Sequence, residues 1–298
     1  MQTTRKTLVS KKRPLALKRT RRATPSISPT PILKWVGGKT RLLGELSKRM
    51  PTNFGRYYEP FVGGGALFFR TAPARAVLGD YNADLINVYQ CVANDVDKVG
   101  RKLAVHIRKH FEEHYYAERV RWNERSPKQT KVDRAAQFLY MNKTCFNGLW
   151  RVNSKGGFNV PIGRYTNPGI YDLQSLRAAS LVLQKAQLHA GHYGDVVTSA
   201  QAGDFVYFDP PYHPITQTSN FTSYTAGSFN EDDQRELASV AKGLADKGCA
   251  VILSNNDTPF IREIYSGWNI DQVMCGRSIN SKASKRGAVA EVIISNDF

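Results

Sequence analysis

Residues 205–214 read FVYFDPPYHP, so four strand-forming residues run directly into an aspartate, two prolines and a tyrosine. The exocyclic amine of a nucleobase is a poor nucleophile because its lone pair is delocalised into the ring, and two acceptors on its N–H groups would free that lone pair. Asp209 offers a carboxylate oxygen, Pro210 offers a carbonyl, and the Pro–Pro link restricts the backbone that aims both oxygens. Tyr212 offers a flat face on which an extruded base can stack. The stretch therefore predicts preorganised catalysis on a base amine, with Asp209, Pro210, Pro211 and Tyr212 as the catalytic residues.

Two simpler interpretations of this stretch exist. A strand followed by a proline-rich turn is common in proteins without any catalytic role. A Pro-Pro-x-Tyr docking ligand would need its tyrosine one position later than Tyr212, and the apolar strand before it indicates burial rather than exposure.

Two further motifs follow predicted strands. The glycines at 63–65 come directly after a strand that ends near Phe61, and Asp80 comes directly after AVLG. The carboxyl ends of parallel strands share one edge of a sheet, so we expect both motifs beside Asp209 in one crevice. Phe68 stands where a dinucleotide fingerprint has its third glycine. The loop instead suits S-adenosylmethionine, whose two ribose hydroxyls Asp80 can accept.

The segment GGKT at residues 37–40 resembles part of a P-loop. That motif needs a glycine where Leu33 stands, so a nucleotide triphosphatase is not favoured. Lys39 is expected to contact the cofactor carboxylate or a DNA phosphate, and the simpler alternative is a surface lysine beside a turn.

The order of predicted elements indicates an α/β fold. RYYEPFVGGGALFFRTA and RAVLGDYNADLINVYQCV each read as strand, loop and helix, which is typical of a parallel sheet. Strands are predicted again at 205–208, 249–254 and 288–294, and a helix at 230–247 with Asn230 as its cap. Residues 86–172 depart from this alternation of strands and helices. They read first as helix and then as loop, which indicates an inserted second domain. We therefore predict a basic disordered tail at 1–29, a catalytic domain at 30–85 and 173–298, and a target-recognition domain at 86–172.

The charge of the chain indicates a polyanionic partner. Lys and Arg number 42 against 25 Asp and Glu, which gives a formal net charge of +17 over 298 residues. Nine of the basic residues and none of the acidic ones lie in residues 1–30, yet the rest of the chain also keeps a basic excess. Double-stranded DNA is the expected partner. The tail suits a basic arm that touches DNA, and an organellar transit peptide is the alternative.

Other residue types predict little further chemistry. Cys91, Cys145, Cys249 and Cys275 are far apart, which favours reduced thiols in a cytoplasmic protein over a zinc site or disulfides. The histidines at 106, 110 and 114 have the spacing of one helical face, for which a solvated or phosphate-facing side is the expected role. We expect no metal and no membrane-spanning segment.

Several motifs together resemble the Dam-type N6-adenine DNA methyltransferases, or deoxyadenosine methylases. In family order they are LKWVGGK, YEPFVGGGALFF, LGDYNADLINVY, FNGLWRVNSKGGFNVPIGRY, YFDPPYHP, NFTSYT and VILSNND. The likeness covers about residues 30–298. It implies a Rossmann-like S-adenosylmethionine-dependent methyltransferase sheet with an inserted, mainly helical DNA-recognition domain, and S-adenosylhomocysteine as the product.

The resemblance also assigns site residues. It implies cofactor contacts at Trp35, Lys39, Phe61, Gly63, Gly65, Asp80 and Asp209. It implies an aromatic wedge at Phe146, base-reading positions at Lys34, Leu149, Arg151 and Pro161, and further DNA contacts at Asn147 and Arg164. The NFTSYT segment would order around the flipped adenine.

The resulting prediction is an enzyme that transfers a methyl group from S-adenosylmethionine to adenine N6 in DNA. GATC is the expected site, because the Leu-x-Arg and Asn-Val-Pro elements of the family are present, and the enzyme is expected to act as a monomer. The alternatives are an N4-cytosine DNA methyltransferase, whose amine chemistry is equivalent, and a non-catalytic DNA-binding protein.

Overall fold

The computed structural model describes residues 28–35, 37, 39, 42–215, 229–276 and 288–298. The predicted arm at residues 1–27 and the NFTSYT segment therefore lie outside the described residues. The strands are β1 (Tyr57–Glu59), β2 (Ala76–Asp80), β3 (Ala186–Ala190), β4 (Phe205–Phe208), β5 (Ala250–Asn256), β6 (Asn269–Gly276) and β7 (Ala288–Ser295). The helices are α1 (Leu43–Arg49), α2 (Ala66–Thr71), α3 (Ala83–Arg108), α4 (Glu112–Glu124), α5 (Lys131–Thr144), α6 (Leu173–Leu183), α7 (Tyr193–Val196), α8 (Glu231–Asp246) and α9 (Pro259–Ile264).

These strands form one sheet in the order β3-β2-β1-β4-β5-β7-β6. The first five are parallel to one another, and β7 runs antiparallel between β5 and β6. The direction of winding reverses at β1, which has β2 on one side and β4 on the other. Loops that leave the carboxyl ends of strands at such a point border a crevice, which is where doubly wound sheets bind ligands.

Helices cover both faces of the sheet. Neighbouring residues of a strand point to opposite faces, so Tyr57 and Phe205 belong to one apolar cluster and Tyr58 and Val206 to the other. The four residues of β4 are all buried. A strand buried on both faces explains why FVYF reads as a continuous apolar run rather than an alternating one.

The predicted α/β class is confirmed, as are the strands at 205–208, 249–254 and 288–294. The predicted helix at 230–247 is α8, and the Asn230 side chain caps it by accepting from the backbone N–H groups of Asp232 and Asp233. Sequence reasoning missed β3 and β6. Both are edge strands with partly exposed faces, so their polar residues hide the apolar pattern that marks the central strands.

The predicted boundary between residues 85 and 86 falls inside α3. The backbone of this helix leaves helical geometry at Asp95, where φ is −136° and ψ is 34°. Phe138 of α5 and Trp150 after it belong to the same buried cluster as Phe68 beside the sheet. The core on this face is thus continuous from the sheet to α5, and the domain limits remain predictions.

The prediction that three histidines share one helical face is wrong. Helix α3 ends at Arg108 and helix α4 begins at Glu112, because the backbone is extended at Phe111 (φ −140°, ψ 172°). The turn nevertheless brings His106 Nδ1 within 3.1 Å of His114 Nε2, and their donor atoms and a Glu118 carboxylate oxygen lie within 4.8 Å of one another. Burial lowers the pKa of His106 to about 4.

Glu118 and the nearby His110 also have hydrogen-bond partners within the protein. A Glu118 carboxylate oxygen accepts from Gln137 Nε2 at 2.7 Å, and His110 Nδ1 lies 3.0 Å from Tyr140 Oη.

Cys91, Cys145 and Cys249 are buried free thiols. Across the described residues, no helix has the length and apolar character needed to cross a membrane.

Candidate active site

The glycine loop and Asp80 meet at the carboxyl edge of the sheet, as the sequence predicted. Gly63 (φ 44°) and Gly65 (φ 63°) adopt left-handed backbone conformations, which glycine reaches without a Cβ penalty. Asp80 is the last residue of β2, and one of its carboxylate oxygens accepts from the Gly63 backbone N–H at 3.0 Å. The other accepts from the Asn82 backbone N–H at 2.9 Å.

Trp35 lies directly against this loop. A Cβ on Gly63 would lie 2.6 Å from Trp35 Cδ1, and one on Gly64 would lie 3.1 Å from Trp35 Cβ. Gly63 therefore cannot carry a side chain while Trp35 keeps its place. The indole also stacks on Phe138 of α5, with ring centroids 6.5 Å apart, so the helical segment helps to hold it over the loop.

Asp209 follows β4 at the same edge and has two polar partners. Its Oδ1 lies 2.9 Å from Lys39 Nζ and accepts from Ser254 Oγ at 2.9 Å. The register of β4 and β5 pairs Phe208 with Leu253, which brings the next residue of each strand side by side. Burial raises the pKa of the Asp209 carboxyl, and Lys39 and Ser254 oppose that rise.

Lys39 contacts two of the predicted catalytic residues. Its Nζ lies 4.3 Å from the centroid of the Tyr212 ring as well as beside Asp209. The Tyr212 hydroxyl donates to Glu291 Oε2 of β7 at 3.2 Å, and Pro210 is buried. The ammonium thus contacts two of the three groups that the sequence assigned to the base, the Asp209 carboxylate and the Tyr212 ring.

Sequence reasoning missed a second acid–proline pair at this edge. Glu59 ends β1 just before Pro60, is 3% exposed, and accepts from the Tyr57 hydroxyl at 2.7 Å. Burial raises the pKa of Glu59 to about 8, against the lowering by Tyr57. The sequence does contain a pattern that could have identified Glu59, because RYYEP repeats the strand–acid–proline pattern of FVYFDP.

Tyr81 and Ser254 were also missed. Tyr81 directly follows Asp80, and 70% of its surface is exposed. Ser254 also lies 3.0 Å from the Tyr207 hydroxyl. A large exposed aromatic beside a site acid and a buried serine on a strand are visible only once the fold is known.

The hydrogen-bonding and charged groups at this edge of the sheet fit S-adenosylmethionine. Asp80 supplies a carboxylate for hydroxyl groups, Lys39 supplies a cation for a carboxylate, and the glycines give the close backbone approach that a ligand needs. Burial raises the pKa of Asp80 to about 6, opposed by its two backbone donors. Phe61 lies further into the second apolar cluster, where its ring stacks on Tyr193 at 5.1 Å.

The residues predicted to bind DNA lie on and around the loop after α5. The Phe146 backbone N–H donates to the Pro161 carbonyl at 2.9 Å, and 46% of the Phe146 side chain is exposed. Arg151 is exposed, and its Nε donates to Asn159 Oδ1 at 3.0 Å. Arg164 is exposed as well. These contacts join the two arms of the loop that carries the predicted readers.

Lys34, from the N-terminal part of the chain, contacts this loop. Asn142 Oδ1 accepts from the Lys34 backbone N–H at 2.9 Å, and Lys34 Nζ lies 4.0 Å from the centroid of the Tyr165 ring. Gly148 (φ 65°) packs directly on the Lys34 side chain, and Asn147 is also left-handed (φ 54°). The structure thus places Lys34 against the segment that holds the other predicted readers.

The predicted reader Leu149 and its neighbour Trp150 pack toward the apolar core. Trp150 is 8% exposed and stacks on Phe138 with ring centroids 3.6 Å apart. Leu149 is half-buried and packs against the same apolar cluster. Trp150 therefore anchors the loop that presents Arg151.

Comparisons with known proteins agree with this geometry. Residues 35–279 match the family model of the D12 class N6 adenine-specific DNA methyltransferases. The chain is 42% identical over 273 residues to the type II methyltransferase M1.LlaDCHI of Lactococcus lactis subsp. cremoris, covering 91% of this chain and 96% of that protein.

Two further relatives span nearly the same length. The type II methyltransferase M.MjaIII of Methanocaldococcus jannaschii is 41% identical over 285 residues, 89% of this chain and 98% of its own. The DNA adenine methylase of Escherichia coli K12 is 37% identical over 264 residues, 88% of this chain and 93% of its own. With the sheet order and the site at its carboxyl edge, these matches show that the chain belongs to the D12 class N6 adenine-specific DNA methyltransferases.

Proposed function

We propose that this enzyme acts as a monomer on double-stranded DNA and methylates adenine N6 within GATC, with S-adenosylmethionine as the methyl donor. The observation that carries the proposal is the position of Asp209. It lies at the carboxyl end of β4, beside Pro210 and Tyr212. Of the predicted cofactor residues, Gly63 and Gly65 follow the adjacent strand β1, and Asp80 ends β2 on the far side of β1.

Asp80, Lys39 and the glycine loop would hold the cofactor. Asp80 would accept the ribose hydroxyls through its two oxygens, Lys39 would contact the carboxylate, and Gly63 and Gly65 with Trp35 and Phe61 would border the methionine part. When bound, S-adenosylmethionine supplies an electrophilic methyl group. The protein contributes position and charge, which are the main sources of catalysis when the reacting groups are already present.

Asp209 and Pro210 would act on the base amine. The carboxylate would accept one N–H of the amine and the Pro210 carbonyl the other, so the nitrogen lone pair becomes available for attack. Only the ionised form of Asp209 has both oxygens as acceptors. Lys39 and Ser254 favour that form against the effect of burial. Tyr212 would stack on the extruded base.

Lys39 links cofactor binding to base binding. It contacts the Asp209 carboxylate and the face of Tyr212, where the adenine would also make its contacts. A cofactor carboxylate would compete with Asp209 and Tyr212 for the ammonium, while Ser254 would remain a donor to the Asp209 carboxylate. Cofactor binding would then favour entry of the base.

GATC is supported by the loop between α5 and α6. A guanidinium held through Nε by Asn159 can present its two Nη groups to guanine O6 and N7. Leu149 or Pro161 can contact a thymine methyl, and Phe146 can fill the gap that the extruded base leaves. Lys34, Asn147 and Arg164 would add further contacts to DNA.

Asp209→Ala tests the catalytic assignment. Because one of the two acceptors is lost, we expect turnover to fall by about 10²–10³-fold or more, while the affinity for DNA is retained. Asp271→Ala removes an exposed aspartate that pairs with Arg49 and is the matched control, with turnover close to that of the unmodified enzyme. Near-normal turnover of Asp209→Ala in a methyl-transfer assay would refute the role of this residue.

Arg151→Ala tests the reading of guanine. The loss of bidentate contacts should reduce discrimination against DNA with a substituted guanine by about 1–3 kcal/mol, measured as the ratio of kcat/KM on the two DNAs. Lys155→Ala, an exposed cation of the same loop, should leave that ratio unchanged. Equal weakening on both DNAs in Arg151→Ala would instead identify Arg151 as a phosphate contact.

Asp80 predicts how cofactor binding depends on pH. Its pKa is raised to about 6, so its carboxylate gains a proton as the pH falls through that value and no longer accepts two hydroxyls. The Kd for S-adenosylmethionine should therefore rise below about pH 6, by up to about tenfold for each pH unit, in equilibrium titrations. Asp80→Asn should bind weakly with little pH dependence in this range. A Kd that stays constant through this range in the unmodified enzyme would contradict the assignment.

A further inference from the structure

The segment from Asp209 to Pro214 cannot stabilise its own backbone. It forms neither helix nor strand, and three of its six residues are prolines, which have no N–H to donate. Backbone polar groups near a protein core need partners. Those partners must come from other elements of the protein.

One partner is a glutamine that points out of α8. Gln234 is 1% exposed, and its Nε2 donates to the Pro211 carbonyl at 2.8 Å. Buried polar side chains are costly unless they form such bonds. This buried amide thus stabilises one defined orientation of the peptide between Pro211 and Tyr212.

The second partner is an asparagine of β5. Asn255 is 2% exposed, and its Oδ1 accepts from the His213 backbone N–H at 2.9 Å. Its Nδ2 donates to Gln234 Oε1 at 3.2 Å. The two amides therefore form one continuous chain of hydrogen bonds, which we call the amide clamp.

The amide clamp encloses a single residue. The Pro211 carbonyl belongs to the peptide before Tyr212, and the His213 N–H belongs to the peptide after it. With both peptides held, the backbone dihedral angles of Tyr212 are restricted. The hydroxyl end of the same side chain is bonded to Glu291, so the ring is positioned from both ends.

We propose that Gln234 and Asn255 are positioning residues for methyl transfer, acting through the backbone on both sides of Tyr212. The inference rests on the proposed function, in which Tyr212 stacks on the base and the preceding Pro210 carbonyl accepts its amine. Both amides act on the backbone of the loop and on each other, so no direct contact with the base or the cofactor is assigned to them. Their loss should therefore slow the transfer step and leave the binding steps intact.

Gln234→Leu is the first test. It keeps the size of the side chain but leaves the Pro211 carbonyl without its donor and Asn255 Nδ2 without its acceptor. A displacement of about 1 Å at a reacting centre can cost about 100-fold in rate, and we expect a loss of that order in kcat. The Kd for S-adenosylmethionine and the Kd for DNA should match those of the unmodified enzyme.

Gln137→Leu is the matched control. Gln137 is also 1% exposed and donates to Glu118, far along the chain from the catalytic loop. Its loss should lower the thermal midpoint as the loss of any buried glutamine does, while kcat stays close to that of the unmodified enzyme. All rates are taken at a temperature at which circular dichroism shows each variant to be folded.

A double variant separates the amide clamp from two independent effects. If Gln234 and Asn255 act as one unit, the kcat of Gln234→Leu/Asn255→Leu should be close to that of the slower single variant, because a unit that is already broken cannot be broken again. Where Gln234→Leu does not fold, Gln234→Met is measured in its place, because it keeps an unbranched side chain of similar length and also lacks the N–H donor to Pro211.

Three results would overturn the inference. They are an unchanged kcat in the Gln234 variant, an equal loss of kcat in Gln137→Leu, and losses that multiply in the double variant. Failure of the proposed function has a different signature, namely normal turnover in Asp209→Ala. A Gln234 variant with normal kcat beside an inactive Asp209→Ala would reject the amide clamp alone.

Discussion

Three carboxyl groups lie at the ends of three adjacent parallel strands, and burial makes each of them unfavourable as an anion. The pKa values of Glu59, Asp80 and Asp209 are all raised for this reason. Different hydrogen-bond donors offset this cost of burial at each of the three carboxyl groups. Backbone N–H groups serve Asp80, Ser254 and Lys39 serve Asp209, and the Tyr57 hydroxyl serves Glu59. A site that must hold a cofactor and a base amine needs acceptors that are partly shielded from bulk water, and this edge of the sheet provides them.

The backbone around these acids is equally constrained. Left-handed glycines let Trp35 approach the loop after β1, and prolines restrict the loop after β4. Because prolines donate no hydrogen bond, α8 and β5 must supply the missing partners through Gln234 and Asn255. The position of Tyr212 thus depends on α8 and β5 as well as on the loop after β4, although these three elements are distant in the chain.

Local sequence was sufficient to predict the central strands and to place Asp80 and Asp209 at strand ends, but it missed Glu59 at the end of β1. FVYF and AVLG lie in buried central strands, and apolar runs of this kind predict a buried strand from local sequence alone. The edge strands β3 and β6 lacked such runs, and the histidines with helical spacing are separated by a turn. Contacts such as Ser254 with Asp209, Gln234 with Pro211 and Lys34 with Gly148 join residues far apart in sequence. Only the register of the sheet and the packing of the helices decide them.

In the proposed function, Asp209 and its neighbours act on the N6 amine of adenine during methyl transfer. The most direct measurement is sequencing of DNA treated with the pure enzyme and S-adenosylmethionine, with each modified base identified chemically and by position. The account predicts N6-methyladenine at the adenine of GATC. Modification confined to N4 of cytosine, or no incorporation of methyl groups into any DNA, would contradict it.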